Sequence, residues 1–443
     1  MRFFFLWLAA LHCTLSPREA SADNMQNEVE TTIAVGMNRP LCGPYSYGNG
    51  LPNITSFCSD ADLSKNLRQN ALQLFEATVK HKTATEITYA FWAFSHQGWG
   101  EQLCKMMTQR TLSVRGAIDR GRERPRDQRV PNDVVGCAYQ NGVRKIELSL
   151  LGQEGDFLEF HPKFVTARFE DGTAVTLVSS GNPTRNSEYN FDVSILFKET
   201  TPGSTPIHDW HQCAFGAFTD EDGKPITSYT DAARRYYKCA ASLDAGTSIG
   251  VTQFLLPFDR SKLTNRISFL LGGSSRVSVA VQSADSLLLR DMFLQATKRG
   301  TAFRVLRDDD LLYVGASTSG ARSGDGEFMN RQYERDVWLR PLIDAGAEVR
   351  YLATNNLDNS NPNAKLLGNF LHLKIIVFEA EGRSPTILVG SANLTDAAFG
   401  HNVENVYLVE NPVVVKSLLA SFDQVWLDGR SQADLPLQNE RPK

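Results

Sequence analysis

The sequence holds no C-x-x-C pair, which excludes the zinc-ribbon and thioredoxin-like sites built on that spacing. A basic excess is missing as well: the formal net charge is -4 and the pI about 6.1. Proteins that live on polyanions usually carry a surplus of Lys and Arg, so the overall balance gives nucleic-acid binding no support, a local basic patch aside. Long apolar runs are scarce. One run, Phe3 to Leu15, stands at the start and is shorter than the roughly 20 apolar residues that a spanning helix needs. No other segment of the sequence is long and apolar enough to cross a membrane.

That first run has a basic residue before it, Arg2, and small residues after it at Ala20 and Ala22. The pattern is that of a secretory leader with an A-x-A site, cut after Ala22. The expectation is an exported, soluble protein, secreted or periplasmic. Cys42, Cys58, Cys104, Cys137, Cys213 and Cys239 remain beyond the leader. An even number in an exported chain predicts disulfides. Nearness along the chain favours Cys42 with Cys58 and Cys213 with Cys239.

A composition of 42% hydrophobic and 22% charged residues is that of a folded globular protein, and 443 residues suffice for two domains or one bilobed unit. Residues 23–63 are rich in Asn, Gly, Pro and Ser and read as an irregular N-terminal cover. A helix is expected over 63–80. A short aromatic strand ("EITYAFWAF"), a helix ("GEQLCKMMTQR") and a strand ("LSVRGAID") follow as a β-α-β unit. The pattern returns as a strand ("RVSVAVQSA"), an amphipathic helix with Asp285 as N-cap and Gly300 closing it, and a strand ("AFRVLR"). Helix, Gly turn and strand then follow in "RDVWLRPLIDAGAEVRYLA". This alternation predicts an α/β fold with a largely parallel sheet covered on both faces. The division expected is 1–22 leader, 23–63 cover, 64–200 first half, 201–262 insertion or linker, and 263–443 second half. Residues 314–327, rich in Gly and Ser, read as a loop that is either a lid or a tolerated insertion.

The most informative feature is a duplication. "FHPKFVTARFEDGTAVTLVSSGNPT" opens at Phe160, and "LHLKIIVFEAEGRSPTILVGSANLT" opens at Leu371. His161 and Lys163 match His372 and Lys374, 211 residues on (161 to 372). Asn182 and Asn393 each stand 21 residues after their His, with Ser180 and Ser391 two before them and Thr184 and Thr395 two after. Asp171-Gly172 and Glu381-Gly382 are turn signals for a hairpin inside each copy. Further on come Asp192 in "NFDV" and Glu404 in "NVEN". Residues i and i+2 of a strand share a face, so each His shares a face with its Lys. The hairpin return brings Ser and Asn back to the same end. Each copy thus offers a nucleophile or acid, a fixed cation and neutral hydrogen-bond groups. A carboxylate is at hand to fix the imidazole tautomer. Two such half-sites meeting at a pseudo-twofold axis would form one phosphate-shaped pocket.

With its paired H-x-K motifs, each followed at one distance by S-x-N-x-T, the chain resembles the phospholipase D superfamily over residues 85–200 and 266–427. The resemblance implies an α/β fold of two pseudo-symmetric α-β-α sandwich halves with the site at their junction. It implies cleavage or transfer of phosphodiesters with no cofactor and no metal. By the same resemblance His161 attacks phosphorus to give a phosphohistidine. His372 protonates the leaving oxygen and then activates water or an alcohol. Lys163, Lys374, Asn182 and Asn393 hold the non-bridging oxygens, with Ser180 and Ser391 as further substrate-binding groups. Asp192 and Glu404 orient the imidazoles. Where the family has Asp seven residues after the His, this chain has Arg168 and Glu379. Where Gly390 precedes the second Ser as in the family, Ser179 precedes the first.

The expected function is an exported phosphodiesterase that hydrolyses or transphosphatidylates phospholipids at a membrane surface. The alternative is a secreted nuclease of the same superfamily. The arginine-rich "RGRERPRDQR" (Arg120 to Arg129) speaks for it, diluted by Glu123, Asp127 and the preceding Asp119. A catalytically silent phosphate-binding protein is the third reading, for which Arg168 and Ser179 speak. Both half-sites lie in one chain, so no protein partner is required and a monomer is expected. His96 reads as a surface histidine near the pocket. His208 and His211 flank Trp210 without a third ligand, so no metal site is expected there.

Overall fold

The computed structural model describes residues 31–38, 47–48, 51–52, 71–122, 125–184, 190–220, 222–243, 250–308, 311, 333–352 and 371–432. The expected leader, the expected Cys42–Cys58 pair and the loop at 314–327 lie outside them. In chain order the first half runs β1 (Thr31–Asn38), the short pair β2 (Tyr47–Gly48) and β3 (Leu51–Pro52), α1 (Ala71–Val79), β4 (Ala84–Phe91), α2 (Gln97–Met106) and β5 (Ser113–Asp119). It continues with α3 (Pro125–Gln140), β6 (Lys145–Glu154), β7 (Phe157–Glu159), β8 (Lys163–Phe169), β9 (Ala174–Ser179) and β10 (Asp192–Glu199). Next come α4 (Pro206–Gly216), α5 (Tyr229–Ala240), β11 (Val251–Leu256), α6 (Arg260–Gly273), β12 (Arg276–Val281), α7 (Leu287–Lys298) and β13 (Ala302–Asp308). A π-helical turn (Glu334–Leu339) leads into α8 (Arg340–Asp344) and β14 (Glu348–Leu352). The chain then forms β15 (Lys374–Glu379), β16 (Thr386–Gly390), α9 (Asp396–Gly400), β17 (Glu404–Val409) and α10 (Pro412–Asp428).

One sheet has the order β1-β10-β9-β8-β4-β5-β6-β7 and the other β11-β17-β16-β15-β12-β13-β14. Counted inward from β10 and β17, the orders match strand for strand, which is the pseudo-symmetry read from the duplication. Neither sheet is largely parallel, contrary to expectation. Parallel pairing is confined to β4, β5 and β6 and to β12, β13 and β14, where helices cross over. The duplicated hairpins attach antiparallel to β4 and β12 and carry β10 and β17 after them. A hairpin reverses the chain without a crossover, so each sheet is mixed.

The hairpin strands are buried almost throughout, because both faces of each sheet are covered. Gly172 and Gly382 take positive φ (78° and 68°) in the turns, as their sequence positions predict. One core cluster lies between the first sheet and α1, α2 and α3. Another lies between the second sheet and α6, α7 and α8. The largest joins the two halves: Phe164, Val178 and Ile195 of the first sheet share it with Ile375, Val389 and Tyr407 of the second, together with α4, α5 and α10.

Three further expectations change. Residues 201–262 are integral: α4 packs on β4, β8 and β9, and β11 is the edge strand of the second sheet. The cover region supplies β1, which pairs antiparallel with β10 along its whole length. Asp285 does not cap α7; Ser286 is the N-cap, and Asp285 instead accepts from the amide of Asp396 at 2.9 Å. Gly300 does follow the helix end with φ 98°. Cys213 pairs with Cys239 as expected, tying α4 to α5 (Cα–Cα 5.6 Å). Cys104 pairs with Cys137 between α2 and α3 (Cα–Cα 5.9 Å); these are the two cysteines that the expected pairs leave over.

Candidate active site

Each H-x-K segment enters its strand at the junction of the halves. A main-chain bridge carries Phe160 beside Val403, and another carries Phe191 beside Leu371. The His161 amide donates to the carbonyl of Val403 (2.9 Å) and the His372 amide to that of Phe191 (3.1 Å). Each histidine is therefore fixed by the opposite half.

The carboxylates follow the same crossed rule. Nδ1 of His161 lies 2.8 Å from Glu404 Oε2, and Nδ1 of His372 lies 2.8 Å from Asp192 Oδ1. The expectation that Asp192 and Glu404 stand by the imidazoles agrees with this geometry. That each serves the other half's ring could not be read from spacing. With Nδ1–H donated to a carboxylate, the chemistry of each ring is left to Nε2.

Ser180 and Ser391 stand elsewhere than expected. Both are fully buried behind the carboxylates. Ser180 Oγ donates to Asp192 Oδ1 (2.9 Å) and accepts from the amide of Val193 (2.9 Å). Ser391 Oγ donates to Glu404 and accepts from the amide of Asn405 (2.9 Å). These hydroxyls are committed to holding the carboxylates, so the structure does not place them to bind substrate. Asn182 Oδ1 accepts from the Ala93 amide and Asn393 Oδ1 from the Ser283 amide, both at 3.4 Å, which turns the two carboxamides the same way in the two halves.

Lys163 and Lys374 are 0% and 3% exposed. Burial draws the Lys163 ammonium down to about 8, against the pull of Glu404, and draws Lys374 well below the usual lysine range, with the Lys163 charge adding to the effect. Burial pushes the Glu404 carboxyl up to about 7. Burial also pulls His372 down to about 4, with Lys374 adding to it and Asp192 opposing. Two desolvated cations beside two imidazoles favour an entering anion, which would return the stabilisation that burial removes.

Some contributors escape sequence reading. Asp119 ends β5 and accepts from the Phe160 amide (2.7 Å); Asp308 ends β13 and accepts from the Leu371 amide (2.8 Å). Asn405 Oδ1 accepts from the Lys163 amide (2.8 Å). For the two aspartates the available signal was their matched place at the ends of corresponding strands; Asn405 has Val193 as its counterpart and carries no such signal. Arg168 and Glu379 lie at the far ends of β8 and β15. Arg168 pairs with Asp209, and Glu379 with Arg276. The arginine-rich stretch forms a short 3-10 turn (Arg120–Arg122) and then enters α3. There Arg120 pairs with Glu154 (2.6 Å). His208 meets Thr166 Oγ1 (2.8 Å), and His211 meets the Ile207 carbonyl and Tyr407 hydroxyl (2.7 Å each).

Known proteins resemble this chain in sequence and in fold. Residues 270–426 match a family model described as cardiolipin synthase, PLD-like domain. Over 171 residues the chain is 25% identical to the mitochondrial cardiolipin hydrolase of Xenopus laevis, covering 39% of this chain and 64% of that protein. The match thus spans less than two thirds of the curated relative's length. Among solved structures, the phosphatidylserine synthase of Haemophilus influenzae Rd KW20 is similar with a TM-score of 0.56 at 15% identity, over 84% of this chain and 88% of that one. The polyphosphate kinase of Porphyromonas gingivalis is similar with a TM-score of 0.52 at 11% identity, over 97% of this chain and 55% of that one. At these identities the structural likeness is one of fold.

Proposed function

The chain belongs to the phospholipase D superfamily, and from that premise we propose that it hydrolyses or transphosphatidylates phospholipids through a phosphohistidine. The observation that carries the reading is the crossed pairing of Glu404 with His161 and of Asp192 with His372. It leaves two Nε2 atoms to act on one phosphorus. Nε2 of His161 attacks, a P–N bond forms, and the P–O bond to the leaving alcohol breaks as His372 gives that oxygen its proton. His372 then takes a proton from water or from an acceptor alcohol. The oxygen so activated attacks phosphorus, and the P–N bond breaks to restore His161. Lys163, Lys374, Asn182 and Asn393 stabilise the non-bridging oxygens, where charge gathers.

The phospholipid substrate is supported by the family model and by the names of the curated and structural relatives. The acidic pI supports it over a nucleic-acid substrate. An exported location is part of the proposal, supported by the leader-like first 22 residues and by two cysteine pairs. Purified protein is assayed with chelator present on vesicles of phosphatidylcholine or phosphatidylglycerol and on plasmid DNA. We expect headgroup release, an acid-labile phosphoenzyme lost in His161→Ala, and a loss of at least about a hundredfold in His372→Ala. Cleavage of DNA alone would transfer the chain to the nuclease reading. No turnover of any diester would leave a silent phosphate-binding protein.

A further inference from the structure

One difference between the two half-sites falls beside the lysines, at a position that the fold makes equivalent. Phe91 of β4 pairs with Lys163, and Val281 of β12 pairs with Lys374. The next residue in each case is Trp92 or Gln282, and the residue after that donates its amide to Asn182 or Asn393. Trp92 and Gln282 are thus counterparts by register, both half-buried beside their lysine.

Their side chains do different things. Trp92 sets its edge against the His161 ring, with centroids 5.9 Å apart and planes at 76°. Gln282 Oε1 accepts from Lys374 Nζ at 3.1 Å. Each lysine also donates to the carbonyl of its own histidine, at 2.9 and 3.0 Å. The other partner of Lys163 is Nε2 of His161, at 2.8 Å. Indole carries a donor and no acceptor, so Trp92 cannot compete with the imidazole for the ammonium, whereas a carboxamide oxygen can.

We propose that Gln282 is a positioning residue that keeps the Lys374 ammonium on its own oxygen rather than on Nε2 of His372, so that His372 can carry the leaving group's proton. An ammonium hydrogen-bonded to Nε2 occupies the lone pair that must take up that proton, and its charge opposes the protonated ring. On the first half the same contact is useful. Lys163 covers the nucleophilic lone pair of His161 until a phosphate oxygen draws the ammonium away. The asymmetry gives two chemically identical motifs separate tasks, and it rests on the phosphodiesterase reading above.

The test uses two diesters of one phosphoryl group, a p-nitrophenyl ester that departs without a proton and an alkyl ester that needs one. Gln282→Leu is expected to lose about tenfold or more in kcat on the alkyl ester and less than about threefold on the p-nitrophenyl ester. Gln282→Glu, which keeps an acceptor oxygen, is expected to restore most of the alkyl rate. His372→Ala provides the reference contrast. Equal losses on both esters in Gln282→Leu, with the contrast intact in His372→Ala, overturn the role of Gln282 alone. So does a Gln282→Glu variant that folds, by its thermal transition, but is no faster than Gln282→Leu. A wild-type protein that turns over neither ester overturns the functional reading and this inference with it.

Discussion

A single methyl group at residue 181 tests how closely the site is built. A Cβ on Gly181 would overlap the carboxylate of Asp192, whose Oδ1 holds both His372 and Ser180. Gly181→Ala should therefore push Asp192 off the imidazole and lower kcat by about 10- to 100-fold, a loss of general acid–base power. The second copy carries Ala392 at the matching position, and its carboxylate is a glutamate, Glu404. The longer glutamate meets its histidine, at 2.8 Å, with an alanine at that matching position. Adding Asp192→Glu to Gly181→Ala should thus recover part of the rate, so that the double variant is faster than Gly181→Ala alone. Steady-state kinetics on one diester decide it, and additive losses would refute the pairing. At this scale the sequence showed which residues matter, because the duplication marks them twice. Depth was not legible. Ser180 and Ser391 sit at the right spacing for substrate contact, yet both are fully buried and bonded to the carboxylates.

At the scale of the element, the site hangs on strand ends. β5 and β13 stop at Asp119 and Asp308, and each aspartate accepts the amide that precedes its histidine. Asp119 also accepts from the Gly121 amide at 2.8 Å, closing the turn after β5. Asp119→Ala would strand the buried Phe160 amide at a cost of about 1–3 kcal/mol, while the amide of the exposed Gly121 turns to water. It should lower the thermal midpoint and, by freeing the segment before His161, lower the rate of phosphoenzyme formation more than that of its breakdown. Single-turnover traces separate the two, and a fall in midpoint with both rates intact would limit Asp119 to stability. The strands and helices around the motifs were legible from their periodicity. Pairing direction was not. Alternating strands and helices suggested parallel neighbours, while the duplicated hairpins add antiparallel strands to each sheet. Residues 201–262 read as an insertion because α4 and α5 show mixed polarity. Much of their apolar surface meets the shared core, where the partner faces lie far away in sequence.

At the scale of the whole molecule, the two halves are joined through a buried histidine outside the duplicated motifs. His211 of α4, fully buried, donates Nδ1–H to the Ile207 carbonyl, so its Nε2 accepts from the hydroxyl of Tyr407 on β17. That hydroxyl accepts in turn from Asn405, whose oxygen holds the Lys163 amide, so the junction continues into the site. Phe164, Trp210 and Tyr407 surround the ring, with centroids 4.6, 4.9 and 6.0 Å away. Burial among them, with the charge of His208 adding to it, pulls His211 from its ordinary 6.5 down to about 3. The sign follows from linkage. A histidine kept neutral in the folded state binds its proton first in the unfolded chain, so its contribution is present above pH 6.5 and is lost as pH falls towards 3. Each tenfold fall in proton affinity is worth about 1.4 kcal/mol, so the loss is of the order of a few kcal/mol. His211→Gln can keep both hydrogen bonds in approximate form but cannot be protonated. It should be less stable than the wild type at pH 7 by about 1–3 kcal/mol, and the gap in thermal midpoint should close as pH falls to 4. His372, Glu199 and Glu404 are perturbed as well, but they are common to both proteins and cancel in the difference; His208, whose charge acts on His211, responds together with it. A gap that stays constant from pH 7 to 4 would mean that the junction does not feel the charge of His211, and that acid opens the molecule elsewhere.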